Sequence, residues 1–275
     1  MNSVLDKFDM TGRSVFVTGG GSGLGLGYAE AVAENGAKVT LTGRSKENIE
    51  AEAARMRDLG WEVVARQLDI SDAADTRKAI EEHVERYGSL DAVFANAGIG
   101  DGPGFWNAAA QERNPEGSVE NLTDSHWAKI IDVNLNGTAY TISEAARAMK
   151  ALGKPGSIVV TSSVASTKTF PTIATGYMVS KAAVSHLVRQ VAQELAEFGI
   201  RVNAISPGMI VTNIGGGYLA SPEARKAMGS FVPMGHMGEV DQVKPLALYL
   251  ASDASDFMTG VELAIDGGVL LGTFK

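Results

Sequence analysis

The sequence predicts an α/β protein: a single Rossmann-like domain over residues 1–275, with a doubly wound, parallel, seven-stranded sheet flanked by helices. Apolar β-type runs alternate with helix-like stretches along the chain, which is the pattern of repeated strand–helix–strand units. The strand-like runs are almost continuously apolar, as expected for a sheet covered on both faces. The 275 residues are 45% apolar, enough for one sizeable core, and no linker-like stretch or repeat divides them.

The elements follow from these patterns in chain order. After the first strand and a glycine-rich turn, a helix is expected to end at Asn35-Gly36, a stop signal. The helix after the second strand is highly charged, and the helix after Thr123 carries Trp127 and Ile130 on an apolar face. The predicted strands are 15–17, 38–42, 62–65 (leading to 68–69), 90–95, 157–160, 200–205 and 261–265. The first predicted helix ends near residue 35. The others are predicted over 46–59, 73–87, 177–198 and 241–251, and helical sequence also continues from 123 towards 152.

Two segments interrupt this rhythm. Residues 100–121 are rich in Gly, Pro and Asn, and residues 212–237 contain three consecutive glycines, two prolines and several methionines. Both follow the carboxyl ends of strands, where open α/β sheets bind ligands, and long loops in compact domains often have functions. We expect residues 212–237 to cover a small or medium-sized organic substrate, although their apolar side chains would equally suit a subunit contact. For residues 100–121, a substrate-side role and a mobile surface loop both stay open.

Charge and composition exclude several function classes. The net charge of −8 and pI of about 5.1 disfavour nucleic acid as a partner and give no sign of an anionic membrane partner. The lack of cysteine excludes disulfides, thiolate catalysis and cysteine-bound zinc, and we expect no metal site. The first residues carry scattered charges instead of an apolar signal segment, and no apolar run approaches the roughly 20 residues that span a bilayer. The sequence therefore predicts a soluble, cytoplasmic protein.

The stretch TGGGSGLGLG, residues 18–27, joins a predicted strand to a predicted helix. The common fingerprint G-x-G-x-x-G fits at none of its glycines, and no lysine follows at P-loop spacing. The spacing G-x-x-x-G-x-G fits twice, and both registers would bring a tight turn close to a pyrophosphate at a helix N-terminus. The residues alone leave two registers open, Gly19, Gly23 and Gly25 or Gly21, Gly25 and Gly27.

Tyr177 and Lys181 are the strongest candidates for chemistry. At positions i and i+4 they share one face of a predicted helix. A tyrosine hydroxyl has a reference pKa of about 10. A nearby ammonium lowers that pKa, which suits proton transfer to or from a carbonyl or alcohol oxygen. A plain surface Tyr–Lys pair is the alternative.

Two further polar features favour the catalytic interpretation. Thr161, Ser162 and Ser163 end a predicted strand at the carboxyl edge of the sheet, where a hydroxyl could bond a substrate oxygen. Asn134 lies inside an apolar helical stretch, where a buried amide is costly unless it is hydrogen-bonded. Asn134 could brace the helix, hold a water molecule, or do both.

Together these motifs resemble those of the classical short-chain dehydrogenase/reductase family over nearly the whole chain, from about Gly12 to Gly268. The resemblance rests on residues 18–25 (TGGGSGLG), 95–98 (ANAG), the segment around Asn134, Ser163, 177–181 (YMVSK), 206–208 (SPG) with Thr212, and 266–268 (DGG). It implies the first glycine register, hydride transfer with a nicotinamide cofactor, and a homotetramer. Two features depart from the family pattern: Ala95 stands where Asn is frequent, and the segment after Gly98 is longer than usual.

The resemblance also implies residue roles. Tyr177 would be the catalytic acid/base, and Lys181 would lower its pKa and bond the nicotinamide ribose. Ser163, the second serine of S-S-V-A-S, would orient the substrate oxygen in preference to Ser162. Asn134 would hold the water that links Lys181 to a proton relay.

The expected cofactor-binding residues come from several segments. Asn96 and Ala97 would line the adenosine side, Asp69 and Ile70 would lie near the adenine, and Ile210 and Thr212 would meet the carboxamide. The full set is Gly19, Ser22, Gly23, Leu24, Gly25, Arg44, Asp69, Ile70, Asn96, Ala97, Gly98, Tyr177, Lys181, Pro207, Gly208, Ile210 and Thr212.

The end of the second strand bears on which nicotinamide cofactor is used. An Asp or Glu there would bond the ribose 2′-hydroxyl and favour NAD. Gly43 holds that place, Arg44 follows it, and the nearest acid is Glu47 in the next helix. A guanidinium suits a 2′-phosphate, although a solvated loop arginine is the alternative. The sequence therefore predicts NADP. NAD is kept as the alternative, because Ser22 stands where NADP-using relatives often have a basic residue.

The predicted function is NADP(H)-dependent hydride transfer between the nicotinamide and a small carbonyl or secondary-alcohol substrate, of ketone, sugar or polyol type. The alternatives are an NAD-dependent dehydrogenase of the same type, a 3-oxoacyl carrier-protein reductase, and a non-catalytic nucleotide-binding regulator. The net charge of −8 disfavours an acidic carrier protein. A regulator would be expected to lose one of the four catalytic residues, and all four are present.

Overall fold

A computed structural model describes residues 3–108, 110–212 and 221–272, and in it strands and helices alternate as predicted. The strands are β1 (Ser14–Val17), β2 (Lys38–Gly43), β3 (Val63–Gln67), β4 (Ala92–Ala95), β5 (Trp106–Asn107), β6 (Glu112–Arg113), β7 (Gly156–Thr161), β8 (Ile200–Pro207) and β9 (Glu262–Ile265). The helices are α1 (Gly23–Glu34), α2 (Lys46–Asp58), α3 (Ala73–Tyr87), α4 (Asp124–Ile131), α5 (Thr138–Leu152), α6 (Thr175–Leu195), α7 (Pro222–Gly229) and α8 (Val240–Ala251).

Seven of the strands form one sheet with the order β3-β2-β1-β4-β7-β8-β9, and every neighbouring pair is parallel. Val15 of β1 lies opposite Val39 of β2 on one side and Ala92 of β4 on the other. The chain therefore winds outward in both directions from the boundary between β1 and β4. Ligands bind at such a switch point, beyond the carboxyl ends of the strands.

The core has two layers because successive residues of a strand point to opposite faces of the sheet. Val15 and Val17 pack with α1, α2 and α8, whereas Phe16 between them packs with α3, α5 and α6. All three side chains are fully buried. The prediction of a doubly wound α/β sheet covered on both faces is confirmed. Within the described ranges, no helix is both long enough and apolar enough to cross a bilayer.

The structure departs from the sequence prediction where backbone geometry depends on distant contacts. The helix predicted from residue 123 towards 152 is divided by a π-helical segment, Asp132–Gly137, between α4 and α5. Strands β5 and β6, on either side of residue 109, pair antiparallel, with Trp106 opposite Arg113. Of residues 212–237, which are predicted to cover the substrate, 213–220 lie outside the described part of the chain, and α7 follows them.

Candidate active site

The glycine-rich turn joins β1 to α1 at the switch point of the sheet. Thr18 ends β1 by donating its backbone N–H to Phe94 O of β4 at 3.0 Å. Helix α1 begins at Gly23, and Ser22 before it has extended backbone angles and no side-chain capping bond. The first amides of α1 therefore face the turn without a side-chain acceptor from Ser22, which is the geometry of an anion site at a helix N-terminus.

The glycines of the turn have different structural roles. Gly19 and Gly23 have φ values of +66° and +55°, which side chains other than glycine rarely adopt. A Cβ at Gly25 would overlap the carbonyl oxygen of Gly19 and the amide of Asn96. A Cβ at Gly27 would instead meet Val240 of α8, away from the turn. This geometry fits the register Gly19, Gly23 and Gly25.

Asn96 holds the turn in place from the end of β4. Its Nδ2 donates to Thr18 O at 3.1 Å and to Gly19 O at 3.3 Å, and its Oδ1 accepts from Thr161 Oγ1 at 2.9 Å. The backbone N–H groups of Asn96 and Ala97 both donate to Thr18 Oγ1. One amide thus connects the carboxyl ends of β1, β4 and β7. Its side chain is committed to this role, so any adenosine contact at this position falls to Ala97 and the backbone.

A cleft of about 750 Å³ runs along the carboxyl edge of the sheet from the glycine turn to α6. Its lining brings together every residue of the expected cofactor-binding set except Gly25, which lies beneath the turn. It also contains residues that the sequence did not single out for binding, including Ser45, Asn48, Leu68, Ile99 and Val133. Ser45 and Asn48 could have been predicted, because Ser45 directly follows Arg44 and Asn48 lies in the first turn of α2.

Tyr177 and Lys181 stand one turn apart on α6, at the far end of this cleft. Lys181 Nζ lies 5.8 Å from the centre of the Tyr177 ring and donates to Thr161 O at 2.8 Å. Only 4% of Lys181 is exposed, and this burial lowers its pKa to about 8. Burial raises the pKa of Tyr177, opposed by hydrogen bonding with Ser163. Desolvation of the hydroxyl outweighs this hydrogen bond, and the predicted lowering of the Tyr177 pKa by Lys181 stays a prediction.

Ser162 and Ser163 both border the cleft but use their hydroxyls differently. Ser163 Oγ accepts from the backbone N–H of Ala165 at 3.1 Å, as the cap of a short 3₁₀ turn, Val164–Ser166. Ser162 Oγ lies 2.6 Å from Ser185 Oγ inside the protein. Ser162 is engaged inside the protein, so Ser163 is the better candidate of the two for the predicted bond to a substrate oxygen beside Tyr177.

Asn134 is fully buried within the π-helical segment. Its Oδ1 accepts from Ile99 N at 2.8 Å, and its Nδ2 donates to Ile99 O at 2.9 Å and to Ser180 Oγ at 3.2 Å. The bracing role expected for a buried amide is therefore observed. The water-holding role stays a prediction.

Arg44 follows the end of β2 and borders the cleft where the adenosine is expected. Its side chain is exposed and forms no ion pair within 4 Å among the residues that the structure describes. Asp69, across the same part of the cleft, accepts from the hydroxyl of Ser71 at 2.7 Å. That bond, and to a smaller extent the charge of Arg44, lowers the pKa of Asp69.

Residues 100–108 and 110–121 include several that contact the segment leading into α6. Trp106 N donates to Pro171 O at 3.0 Å, and Pro103 pairs with Ile173 through an isolated antiparallel bridge. Lys129 of α4 donates to Asp101 at 2.6 Å. The described part of the loop therefore adjoins the segment just before Tyr177, and its substrate-side role stays a prediction.

The geometry fits a dinucleotide. The first amides of α1 have no side-chain acceptor from Ser22, a Cβ at Gly19, Gly20 or Gly25 would overlap neighbouring atoms, and Arg44 offers an exposed cation. Across residues 3–108, 110–212 and 221–272, no group of three His, Asp or Glu side chains is placed to hold a metal ion.

Comparison with known proteins extends the similarity over nearly the whole chain. A family model described as enoyl-(acyl carrier protein) reductase matches residues 19–270. Sorbose reductase of Candida albicans is 35% identical over 269 residues, covering 97% of this chain and 90% of the relative. NADP-dependent mannitol dehydrogenase of Hypocrea jecorina is 35% identical over 272 residues, covering 97% and 96% respectively.

A solved structure extends the comparison to the fold. The gluconate 5-dehydrogenase of Burkholderia cenocepacia J2315, in complex with NADP and tartrate, superimposes with a TM-score of 0.86. It is 32% identical in sequence, and the match covers 98% of this chain and 100% of that one. The likeness therefore concerns the complete fold and not one motif.

Proposed function

The chain belongs to the short-chain dehydrogenase/reductase family, and on that premise we propose that it is an NADP(H)-dependent oxidoreductase of a small carbonyl or secondary-alcohol substrate. One observation carries the proposal. Tyr177, Lys181 and Ser163 meet at one end of a cleft whose other end is a glycine turn at a helix N-terminus. The hydroxyls of Tyr177 and Ser163 thus border one continuous cleft, which supports proton transfer to a substrate held there.

A nicotinamide bound in this cleft would supply or accept the hydride. Ser163, which keeps its hydroxyl hydrogen, donates to the substrate oxygen and orients it. Tyr177 transfers a proton to that oxygen in reduction and removes it in oxidation. Lys181, held by Thr161 O, places its ammonium beside the tyrosine, where a positive charge favours the tyrosinate that forms during reduction.

Support for the substrate class comes from the named relatives, which act on sorbose, mannitol and gluconate according to their names. We infer a sugar, polyol or related hydroxy-ketone as the substrate of this chain. Residues 100–108 and 110–121, packed on the segment before Tyr177, are the described part of the substrate entrance in this proposal.

Support for NADP comes from the end of β2. Gly43 stands where an acid would bond the ribose 2′-hydroxyl, and Arg44 next to it is exposed beside the cleft. Ser45, the N-cap residue of α2, follows Arg44 directly, so a 2′-phosphate at Arg44 would also lie near the positive end of the α2 dipole. NAD remains the alternative cofactor.

The test is turnover of a panel of ketoses, polyols and simple ketones with each cofactor. We expect activity with NADP(H), and a large preference for NAD would overturn the cofactor assignment. In Tyr177→Phe we expect turnover to fall by at least about 100-fold, because the proton-transfer group is lost. NADP should still bind that variant, measured by titration calorimetry. Binding without turnover in the unmodified protein would instead favour a regulator.

Arg44 has its own test. In Arg44→Ala we expect KM for NADP to rise by about ten- to 100-fold, the cost of one or two charge-assisted hydrogen bonds. KM for NAD should change little. Lys78→Ala, which removes an exposed cation from α3, serves as the control for net charge. An unchanged KM for NADP in Arg44→Ala would end the proposed role of the guanidinium.

A second candidate is reduction of an acyl group on a carrier protein, which the description of the matching family model favours. The net charge of −8 opposes binding of an acidic carrier. Activity on a carrier-bound 3-oxoacyl chain and none on free ketones would support this candidate. We further propose a homotetramer in the cytoplasm, and light scattering would test the assembly.

A further inference from the structure

Four serine hydroxyls and one carboxylate form a hydrogen-bonded cluster next to the catalytic end of the sheet. Glu262, the first residue of β9, accepts with Oε1 from Ser166 at 2.7 Å, Ser185 at 2.9 Å and Ser206 at 2.7 Å. Ser185 Oγ in turn lies 2.6 Å from Ser162 Oγ. Ser162, Ser185 and Ser206 are buried, so water competes little for these bonds.

The donor and acceptor capacities of these groups fix the direction of the bonds. A carboxylate oxygen only accepts, so Ser185 donates its single hydroxyl hydrogen to Glu262. Ser185 can therefore meet Ser162 only as an acceptor, and Ser162 is the donor. The hydroxyl hydrogen of Ser162 is thereby directed to buried Ser185 and is withdrawn from the cleft that Ser162 borders.

Ser163 keeps its hydrogen. Its Oγ accepts from Ala165 N at 3.1 Å, which leaves the hydroxyl hydrogen for Tyr177 or a substrate oxygen. Two adjacent serines therefore differ in what they can offer to the cleft. The difference originates at Glu262, 96 residues in sequence from Ser166.

The same carboxylate also connects the elements that carry the site. Ser185 lies on α6 one turn after Lys181, and Ser166 ends the 3₁₀ turn that Ser163 caps. Ser206 lies near the end of β8, directly before Pro207 and the cofactor-facing residues. A single group at the edge of the sheet thus holds three segments in register.

We propose that Glu262 is a positioning residue for the catalytic serine. Its carboxylate accepts the hydrogen bond of the Ser185 hydroxyl, and Ser185 in turn accepts that of Ser162. The same carboxylate anchors the turn after Ser163 against α6. Ser163 is then the one serine of the pair that presents a donor to the substrate oxygen. The proposal rests on the proposed function, in which Ser163 and Tyr177 act on a substrate.

The test replaces the carboxylate with an amide of the same shape. In Glu262→Gln a neutral amide oxygen, a weaker acceptor than a carboxylate, faces the three hydroxyls, so their hydrogen bonds weaken and the turn that Ser163 caps is held less firmly. We expect kcat to fall about ten- to 100-fold, the scale for a misplaced catalytic group, with the Kd of NADP(H) close to that of the wild type. Glu85→Gln, on the exposed face of α3, is the matched control and should keep full activity.

A double-mutant cycle separates positioning from general support of the fold. We expect Ser163→Ala to cost much less kcat in the Glu262→Gln background than in the wild type, because the serine is already misplaced there. Equal costs in both backgrounds, or a Glu262→Gln kcat equal to that of the wild type, would overturn the proposal. If Glu262→Gln does not fold, Ser185→Ala breaks the same chain while Ser166 and Ser206 keep their acceptor.

Hydrogen exchange keeps the two proposals apart. In Glu262→Gln we expect faster exchange at the amides of Ala165, Ser166 and Thr167, which bond within the turn that Ser163 caps. Unchanged exchange would overturn the positioning role. A wild-type protein that turns over no substrate of the panel would contradict the proposed function, and the exchange result would still decide the role of Glu262.

Discussion

The side-chain amide of Asn134 and the backbone of Ile99 exchange two hydrogen bonds, one in each direction, at 2.8 and 2.9 Å. This pair fixes the segment after β4 to the π-helical segment. Gly98, next to Ile99, lies so close that a Cβ there would be 3.2 Å from Asn134 Oδ1 and 3.6 Å from Lys181 Nζ. The brace therefore also sets the wall of the cleft beside the lysine.

Removal of this brace should destabilise the protein. In Asn134→Ala the N–H and C=O of Ile99 lose their partners, and each unpaired group costs about 1–3 kcal/mol. We expect the free energy of unfolding, measured with urea, to fall by at least about 2 kcal/mol. Asn136→Ala is the control, because the side chain of Asn136 donates to that of Asp132 within the same segment and braces no distant backbone in the described part of the chain. Equal losses of unfolding free energy in the two variants would show that the bonds between Asn134 and Ile99 add no stability beyond that of a surface hydrogen bond.

His83 makes stability fall in mild acid. The side chain is 2% exposed and its Nδ1 lies 2.7 Å from Thr40 Oγ1, whereas its Nε2 has no hydrogen-bond partner among the residues that the structure describes. Burial lowers its pKa from 6.5 to about 4. The unfolded chain therefore binds more protons than the folded protein between these values, so stability decreases as pH falls through that window. From pH 7 to pH 5 we expect a loss of about 2 kcal/mol from this residue.

Urea unfolding of a His83→Phe variant at both pH values checks this prediction. The variant should lose markedly less stability than the wild type between pH 7 and pH 5, because it has no imidazole to protonate in the core. His186→Gln, which removes an exposed imidazole from α6, should retain the wild-type pH dependence. A His83→Phe protein with the same dependence as the wild type would assign the acid sensitivity to other groups.

The sequence allowed prediction of the features that depend on local patterns. The seven main strands are apolar runs separated by helical stretches, and Tyr177 with Lys181 depends only on the i, i+4 spacing of α6. The glycine turn could be located from the sequence, but the choice between its two glycine registers could not be made. The choice requires Gly25 to face Gly19 and Gly27 to face Val240, and both contacts belong to the folded chain.

Other features depend on partners distant in sequence. The π-helical segment depends on the Asn134–Ile99 pair and on Gly137, where a Cβ would lie 2.7 Å from Ile70 Cδ1. The strands β5 and β6 have two residues each, too few for a detectable alternation. Glu262 is a single acid in the last strand, and its serine partners are 56 to 96 residues away. The raised pKa of Tyr177 likewise follows from burial, which no local pattern reveals.

Lys181 should reduce stability at neutral pH. Burial lowers its pKa from 10.5 to about 8, so folding at pH 7 confines an ammonium that prefers water, at a cost of roughly 3 kcal/mol. Lys181→Met keeps the length of the side chain and removes the charge, although it loses the bond to Thr161 O. We expect an inactive variant that is about 1–2 kcal/mol more stable than the wild type at pH 7.

The pH dependence of this difference is diagnostic. Between pH 8 and 10.5 the unfolded chain binds more protons at Lys181 than the folded protein does, so wild-type stability gains from a rise in pH. The advantage of Lys181→Met should therefore shrink between pH 7 and pH 9.5 in urea unfolding, while the other titrating groups cancel in the comparison. A variant less stable than the wild type at pH 7, or a constant difference, would contradict the assigned cost of burial.

Gly25 and Gly27 should respond differently to the same added methyl group. In Gly27→Ala the Cβ overlaps Val240 Cγ1 between α1 and α8, and such overpacking costs about 1–3 kcal/mol of stability. We expect cofactor affinity to persist and Val240→Ala to restore much of the loss. In Gly25→Ala the Cβ overlaps the carbonyl oxygen of Gly19, a backbone atom that no substitution removes. Cofactor affinity by titration calorimetry should fall in Gly25→Ala alone; a comparable fall in Gly27→Ala would mean that the second register binds the pyrophosphate.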